Sequence, residues 1–192
     1  MTSILNRTND NNKNFRRLFL DIETSMCMGW FWRSGFNQNI GHHQILEDSK
    51  IICVSYLWEG DDASKVKTIK WNMSKQCDKN LLVKFSKVLS QADSIVGQNS
   101  ESFDMKIVQK RIAYHGLTPL GQLSTDDTMK QAKKHFKMDS NSLAYMCKYF
   151  GLQLKTDPGG YNTWLDIQLR KDKEALQRMV TYCENDVIVT AK

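Results

Sequence analysis

Proline is nearly missing from this chain, with two residues in 192, so few helices or strands are broken by a missing amide. No apolar run approaches the roughly 20 residues of a membrane-spanning helix, and the N-terminus lacks the apolar stretch of a signal peptide. The protein is therefore expected to have no membrane partner and to lie in the cytoplasm. No C-x-x-C pair occurs. The five cysteines (Cys27, Cys53, Cys77, Cys147, Cys183) are odd in number and scattered, which argues against a disulfide framework and a zinc module. His42, His43 and Cys53 match no familiar ligand spacing, so loop histidines and a buried strand thiol are the better reading.

What is present has the balance of a chain that buries a core: 41% hydrophobic and 25% charged residues. A net charge of +6 permits a polyanionic partner without demanding one. The basic clusters Lys106 to Arg111, Lys130 to Lys137 and Arg170 to Lys173 are in themselves ordinary solvated faces. They gain meaning only beside phosphate chemistry. Residues 1–14, polar and asparagine-rich, read as a flexible N-terminal arm, and residues 15–192 as one domain.

Along that domain, Arg16 to Glu23 reads as a buried strand. Thr24 to Ser49, dotted with glycine and aromatics, predicts a long excursion. Ile51 to Trp58 and Val66 to Trp71 read as strands of a hairpin turning at Glu59-Gly60-Asp61-Asp62. Asp78 is placed to cap a helix with Leu82, Phe85 and Leu89 on one stripe. Ser94 to Gly97 is a brief strand, followed by a helix from about Asp104 to His115. Ser140-Asn141-Ser142 starts another helix, with Leu143, Met146, Cys147 and Phe150 inward and Gly151 closing it. The last helix runs from about Asp172, burying Leu176, Met179, Val180, Cys183 and Val187. Strands first and helices later, around a central sheet, predict an α/β or α+β domain.

The acids carry the chemistry. Residues two apart on a strand share a face, so Asp21 and Glu23 project together, opposite Leu18, Leu20 and Ile22. Two adjacent carboxylates on an apolar strand call for neutralisation, for which a divalent cation suffices. Taken alone, a D-x-E at a strand end is more simply a solvated pair. Asp104 alone reads as a helix cap, yet it follows a strand and a polar turn, which would put it at the sheet's carboxyl edge, where ligands gather. Tyr182 and Asp186, one helical turn apart, share a face at the margin of an apolar stripe. That pair fits a cleft lip and a half-buried surface equally well.

Together, LFLDIET, IVGQNSESFD and YCENDV resemble, in order, the three exonuclease motifs of the DnaQ-like family. The resemblance spans Leu18 to Val187, and Asp127-Thr128, Ser142-Leu143 and Lys148 to Leu152 fit the family's connecting stretch. It is nearest to small stand-alone bacterial and bacteriophage exonucleases and to polymerase proofreading domains. Thr181 stands five residues before Asp186 and Tyr182 four before, which resembles the family's tyrosine branch rather than its histidine branch.

The resemblance implies an RNase H-like fold, with a central mixed five-stranded sheet flanked by helices. It implies that Asp21, Glu23, Asp104 and Asp186 hold two Mg²⁺ or Mn²⁺ ions while Tyr182 orients the attacking water. The implied activity is 3′→5′ hydrolysis of single-stranded nucleic acid with a free 3′ end, DNA slightly ahead of RNA. Thr24, Asn99 and Phe103 would contact the terminal nucleotide. Trp30 and Trp32 are expected to pack within the excursion, with base stacking as their other role. A polymerase or replication factor is a possible protein partner. Only six residues follow Asp186, which leaves a longer protein or a completing partner open. Other readings are a non-cleaving binding module of the same fold, a partner-dependent RNA exonuclease, another RNase H-like enzyme such as a resolvase, and an interaction protein whose acids are surface charges.

Overall fold

The computed structural model describes residues 15–33, 35, 39–152 and 157–192; the expected arm at 1–14 lies outside them. In β1 (Arg17–Thr24) Leu18, Leu20 and Ile22 are buried while Phe19, Asp21 and Glu23 are only half-buried, so one face of the strand is core and the other opens toward a site. The segment that follows is not wholly irregular. β2 (Met28–Gly29) and β3 (Ile45–Glu47) pair into a small antiparallel ribbon. Its neck is clasped in both directions: Ser25 donates its amide to the Lys50 carbonyl at 2.8 Å, and Lys50 donates its amide to Ser25 Oγ at 2.9 Å.

β4 (Ile51–Trp58) is buried along all but its last residue, as a strand covered on both faces must be. It pairs antiparallel with β1 and with β5 (Lys67–Lys70), the latter through the expected hairpin, whose Gly60 takes φ +83°. β6 (Ser94–Gly97) joins the other side of β1 in parallel, and β7 (Ser124–Asp127) extends the sheet parallel to β6. The result is a mixed five-stranded sheet in the order β5-β4-β1-β6-β7.

The helices are α1 (Lys79–Leu89), α2 (Asp104–Tyr114), α3 (Thr128–His135), α4 (Leu143–Tyr149), α5 (Tyr161–Leu165) and α6 (Lys173–Thr190). A π-helical turn, Asp166–Arg170, links the last two. α6 packs across β1, β4 and β5 with Leu176, Met179, Val180, Cys183 and Val187 buried as expected. The Cys183 thiol donates to the Asp21 carbonyl at 3.4 Å. α4 departs from expectation: Cys147 alone is buried, Met146 is half-buried and Phe150 faces solvent. Gly151 does close the helix, at φ +70°.

Asp78 is the clearest correction. It precedes α1 but makes no side-chain cap. Its carboxylate is fully buried and accepts from Arg111 Nε and Nη2 at 2.8 Å each, from the Ile51 amide at 3.0 Å, and lies 2.6 Å from His115 Nε2. Burial pushes its pKa up, but Arg111, the Ile51 amide and His115 outweigh that and hold it below the usual carboxylate range. The basic cluster around Lys106 is thus partly internal, since Arg111 is spent on Asp78 and Lys110 pairs with Asp48 at 2.9 Å. No described helix is long and apolar enough to cross a membrane.

Candidate active site

Three separate segments deliver the acids. β1 brings Asp21 and Glu23 on its half-open face. Its register with β4 shifts after Glu23, which faces Cys53, whereas Thr24 faces Ile51. A bulge there ends the pairing and turns the chain out into the excursion. The Thr24 carbonyl is held at 3.0 Å by Trp164 Nε1, and Gln168 bonds both the amide and the carbonyl of Met26, at 2.8 and 3.1 Å.

The second segment depends on Gly97. A Cβ there would come within 3.0 Å of the Leu20 carbonyl and 2.7 Å of Ser100 Cβ, so only glycine lets β6 turn this close to β1. Asn99 then takes a left-handed backbone, φ +59°, which asparagine tolerates. The turn delivers Asp104, buried at the start of α2, whose Oδ1 accepts the Ile22 amide at 3.0 Å. That bond ties the second motif to the strand between the two acids of the first.

α6 supplies the rest. Asp186 is buried, and Tyr182 lies one turn earlier on the same face of α6. Asp186 Oδ1 is buried without a partner among the described residues.

The five residues act on one another. Asp21 is pushed well above the usual carboxylate range by burial and then by the charges of Asp104, Glu23 and Asp186. Glu23 rises to about 8 through burial, Asp186 and Asp104. Asp104 rises to about 7, chiefly by burial against its own stabilising hydrogen bonds. Asp186 rises to about 6 by burial, moderated by Tyr182. Burial, then the neighbouring carboxylates, push the Tyr182 phenol above its usual range. No ion pair among the described residues involves any of the four acids. An uncompensated, all-oxygen donor set with an orphaned buried oxygen suits hard divalent cations.

A tighter grouping occurs elsewhere: ligand atoms of Cys77, Asp78 and His115 lie within 4.8 Å of one another. It is a poor cation site, because the Arg111 guanidinium already neutralises both oxygens of Asp78. Cys53 lies fully buried in β4 and His42 and His43 are exposed, and the described residues place no metal group among them.

Of the expected substrate contacts, Thr24 and Asn99 are half-buried beside the acids in sequence, and Phe103 is exposed immediately before Asp104. Trp30 and Trp32 are exposed rather than packed, because the ribbon of β2 and β3 offers them no core.

Sequence reasoning gave no role to Asp127. Fully buried at the end of β7, it caps α3 through the Met129 and Lys130 amides. It also accepts the Asn99 amide at 3.0 Å and the Glu101 amide at 3.2 Å. The Asp-Thr pair before a helix was the available signal. Asp127→Ala orphans four amides around the turn that delivers Asp104. We expect a loss of about 2 kcal/mol or more in stability and a fall on the order of 10- to 100-fold in kcat/KM. Thermal melts and steady-state kinetics check this; unchanged kcat/KM would restrict Asp127 to a folding role.

The sheet order, with an antiparallel β4 beside parallel β1, β6 and β7, and acids gathered where β1 and β6 end, defines an RNase H-like α/β domain. The chain belongs to the RNase H superfamily, whose family model matches residues 18–192. Among solved structures it is similar to the family B DNA polymerase from the hyperthermophilic archaeon Pyrobaculum calidifontis. The TM-score is 0.64 and the identity 15%, over 92% of this chain and 23% of the polymerase. This chain thus spans about a quarter of that protein's length, and at this identity the likeness concerns the fold. No curated protein matches the sequence.

Proposed function

We propose that the chain is a metal-dependent 3′→5′ exonuclease of the DnaQ-like type, tyrosine branch, acting on single-stranded nucleic acid, DNA ahead of RNA. The observation that carries this is the meeting of three segments. Asp104 Oδ1 accepts the Ile22 amide between Asp21 and Glu23, and Cys183 of α6, three residues before Asp186, donates to the Asp21 carbonyl. Four acids with no ion-pair partner among the described residues thus gather at one end of the sheet, with Tyr182 beside Asp186. Superfamily membership supports nuclease chemistry and divalent metals. The four acids would hold two Mg²⁺ or Mn²⁺ ions. Such a pair, when bound, supplies Lewis-acid stabilisation of the attacking and leaving oxygens of a phosphodiester displaced in line.

The chain's own groups set the geometry. Asp104 keeps Oδ1 on the Ile22 amide, which would leave Oδ2 for a cation. Tyr182, one turn before Asp186 on the same face of α6, would offer its hydroxyl to the incoming water. It positions that water rather than deprotonating it, because burial raises the phenol above its ordinary value of about 10. The exposed Phe103 ring is set to stack on the terminal base, with Asn99 and Thr24 beside the sugar and phosphate. A polymerase or replication factor is the partner class this activity would serve.

The test is a time course on 5′-labelled single-stranded DNA and RNA with Mg²⁺, Mn²⁺ or EDTA. The expected result is a ladder shortening from the 3′ end and abolished by EDTA. Internal cuts would assign another RNase H-like reaction, and intact substrate under every metal would defeat the proposal.

A further inference from the structure

We propose that the outer face of α4, with the end of α3, is a second single-strand binding platform that takes the bases and phosphates upstream of the 3′ terminus. It deepens the exonuclease reading and rests on it for the position of that terminus.

α4 contributes little to the core. Of its seven residues only Cys147 is buried, and its rings point outward. Tyr149 is 67% exposed, Phe150 50% and, at the end of α3, Phe136 54%. These rings form one group. Phe136 and Phe150 have centroids 6.1 Å apart, Tyr149 and Phe150 5.3 Å, and Tyr145 stacks near-parallel on Tyr149 at 6.4 Å. A contiguous exposed aromatic patch on an otherwise charged surface marks an interaction site.

Charge selects the occupant. Lys133, Lys134, Lys137 and Lys148 are exposed in the same two segments, and none forms an ion pair among the described residues. Neighbouring cations behave differently, since Lys130 pairs with Glu101 and Lys110 with Asp48. Among the described residues the one acid bonded to the rings is Asp139, which accepts from the Tyr145 hydroxyl at 3.4 Å. Lysines without ion pairs among the described residues, next in sequence to exposed rings, match a polyanion that presents flat apolar faces, which is unpaired nucleic acid. A duplex keeps its base faces stacked inside.

Position links the platform to the cluster. Gln98, beside Asn99, donates to the Asn141 carbonyl at 2.8 Å and reaches Met146 Sδ at 3.9 Å. On its inner side α4 packs against α6, the helix that carries Asp186. A strand whose end sits among the acids therefore meets α4 within a few nucleotides.

The experiment is fluorescence anisotropy in EDTA, so that no strand is cut, using 5′-fluorescein oligo(dT) of three and of twelve nucleotides and a twelve-base-pair duplex. Phe136→Ala/Tyr149→Ala is expected to weaken binding of the twelve-mer about tenfold or more, with little change for the three-mer. Tyr149→Phe keeps the ring and should bind as wild type. Lys133→Glu/Lys134→Glu should weaken the twelve-mer and flatten its salt dependence. These rings are half or more exposed, so the variants should melt as wild type. Unchanged twelve-mer affinity in the double alanine variant overturns the proposal and leaves the face to a protein partner. Duplex binding as tight as single-strand binding overturns it too. Failure of the exonuclease reading shows separately, as intact substrate with twelve-mer binding retained.

Discussion

Asp21→Ala and Asp186→Ala should each abolish nuclease activity, on the order of 10³-fold or more, without lowering the melting temperature in EDTA at pH 8. The two readouts move apart because these carboxylates are ligands that repel one another. Asp21 is raised by burial and by three neighbouring acids, and Asp186 Oδ1 is buried with no partner among the described residues. Removing either lowers a charge density that the metal-free protein carries unaided. Asp104 is a built-in contrast. Its Oδ1 satisfies the Ile22 amide, so Asp104→Ala should lose activity and also about 1–3 kcal/mol of stability, the cost of orphaning a buried donor. Ladder assays and thermal melts on the three variants decide the matter. If Asp21→Ala or Asp186→Ala unfolds outright, that acid is structural and the site assignment fails.

The second large effect is on pH. In EDTA the melting temperature should fall as pH rises from about 4 toward 9, with the steepest loss between about 5 and 6 and a shallowing slope toward 8. The folded protein holds protons on Asp186 to about 6, Asp104 to about 7 and Glu23 to about 8, whereas unfolded carboxyls release theirs near 4. Across that window the native state binds more protons than the unfolded chain, so stability is full below the unfolded pKa and drains away as pH climbs through the folded ones. The total should be on the order of several kcal/mol. Millimolar Mn²⁺ or Mg²⁺ should oppose the loss most strongly at the alkaline end, where the ligands are ionised. Melts at half-unit pH steps, with metal and with EDTA, test it. Superimposable curves would mean that the cluster binds no cation.

Apolar runs made β4 and β6 legible to the residue, and the stripe of α6 made its buried face legible, because burial writes itself into sequence as pattern. β7 was not legible. Ser124-Thr125-Asp126-Asp127 is polar and owes its strand conformation to parallel pairing with β6, a partner remote in sequence. The π-turn escaped for a related reason: the Gln76 side chain, far away in sequence, takes up the Ile167 and Gln168 carbonyls at 3.2 and 2.7 Å. Asp78 looked like a cap because a carboxylate before a helix usually is one. Nothing local in the sequence announces that Arg111 and His115 will arrive across the fold. The candidate site was readable because its residues carry chemistry at fixed spacing. Asp127, which only holds the turn in place, was not.

The clasp between Ser25 and Lys50 makes the segment between them a replaceable cassette. The chain leaves and rejoins the sheet at one point, with Gln168 on Met26 and Lys110 on Asp48 as the further ties, so the sheet and its acids depend little on what is spliced between Cys27 and Glu47. Loop closure itself grows only slowly with length. Lineages sharing this scaffold are free to lengthen, shorten or rewrite that stretch, with its outward Trp30, Phe31 and Trp32. Selection can thereby change which strand ends reach the carboxylates while leaving the carboxylates where they are.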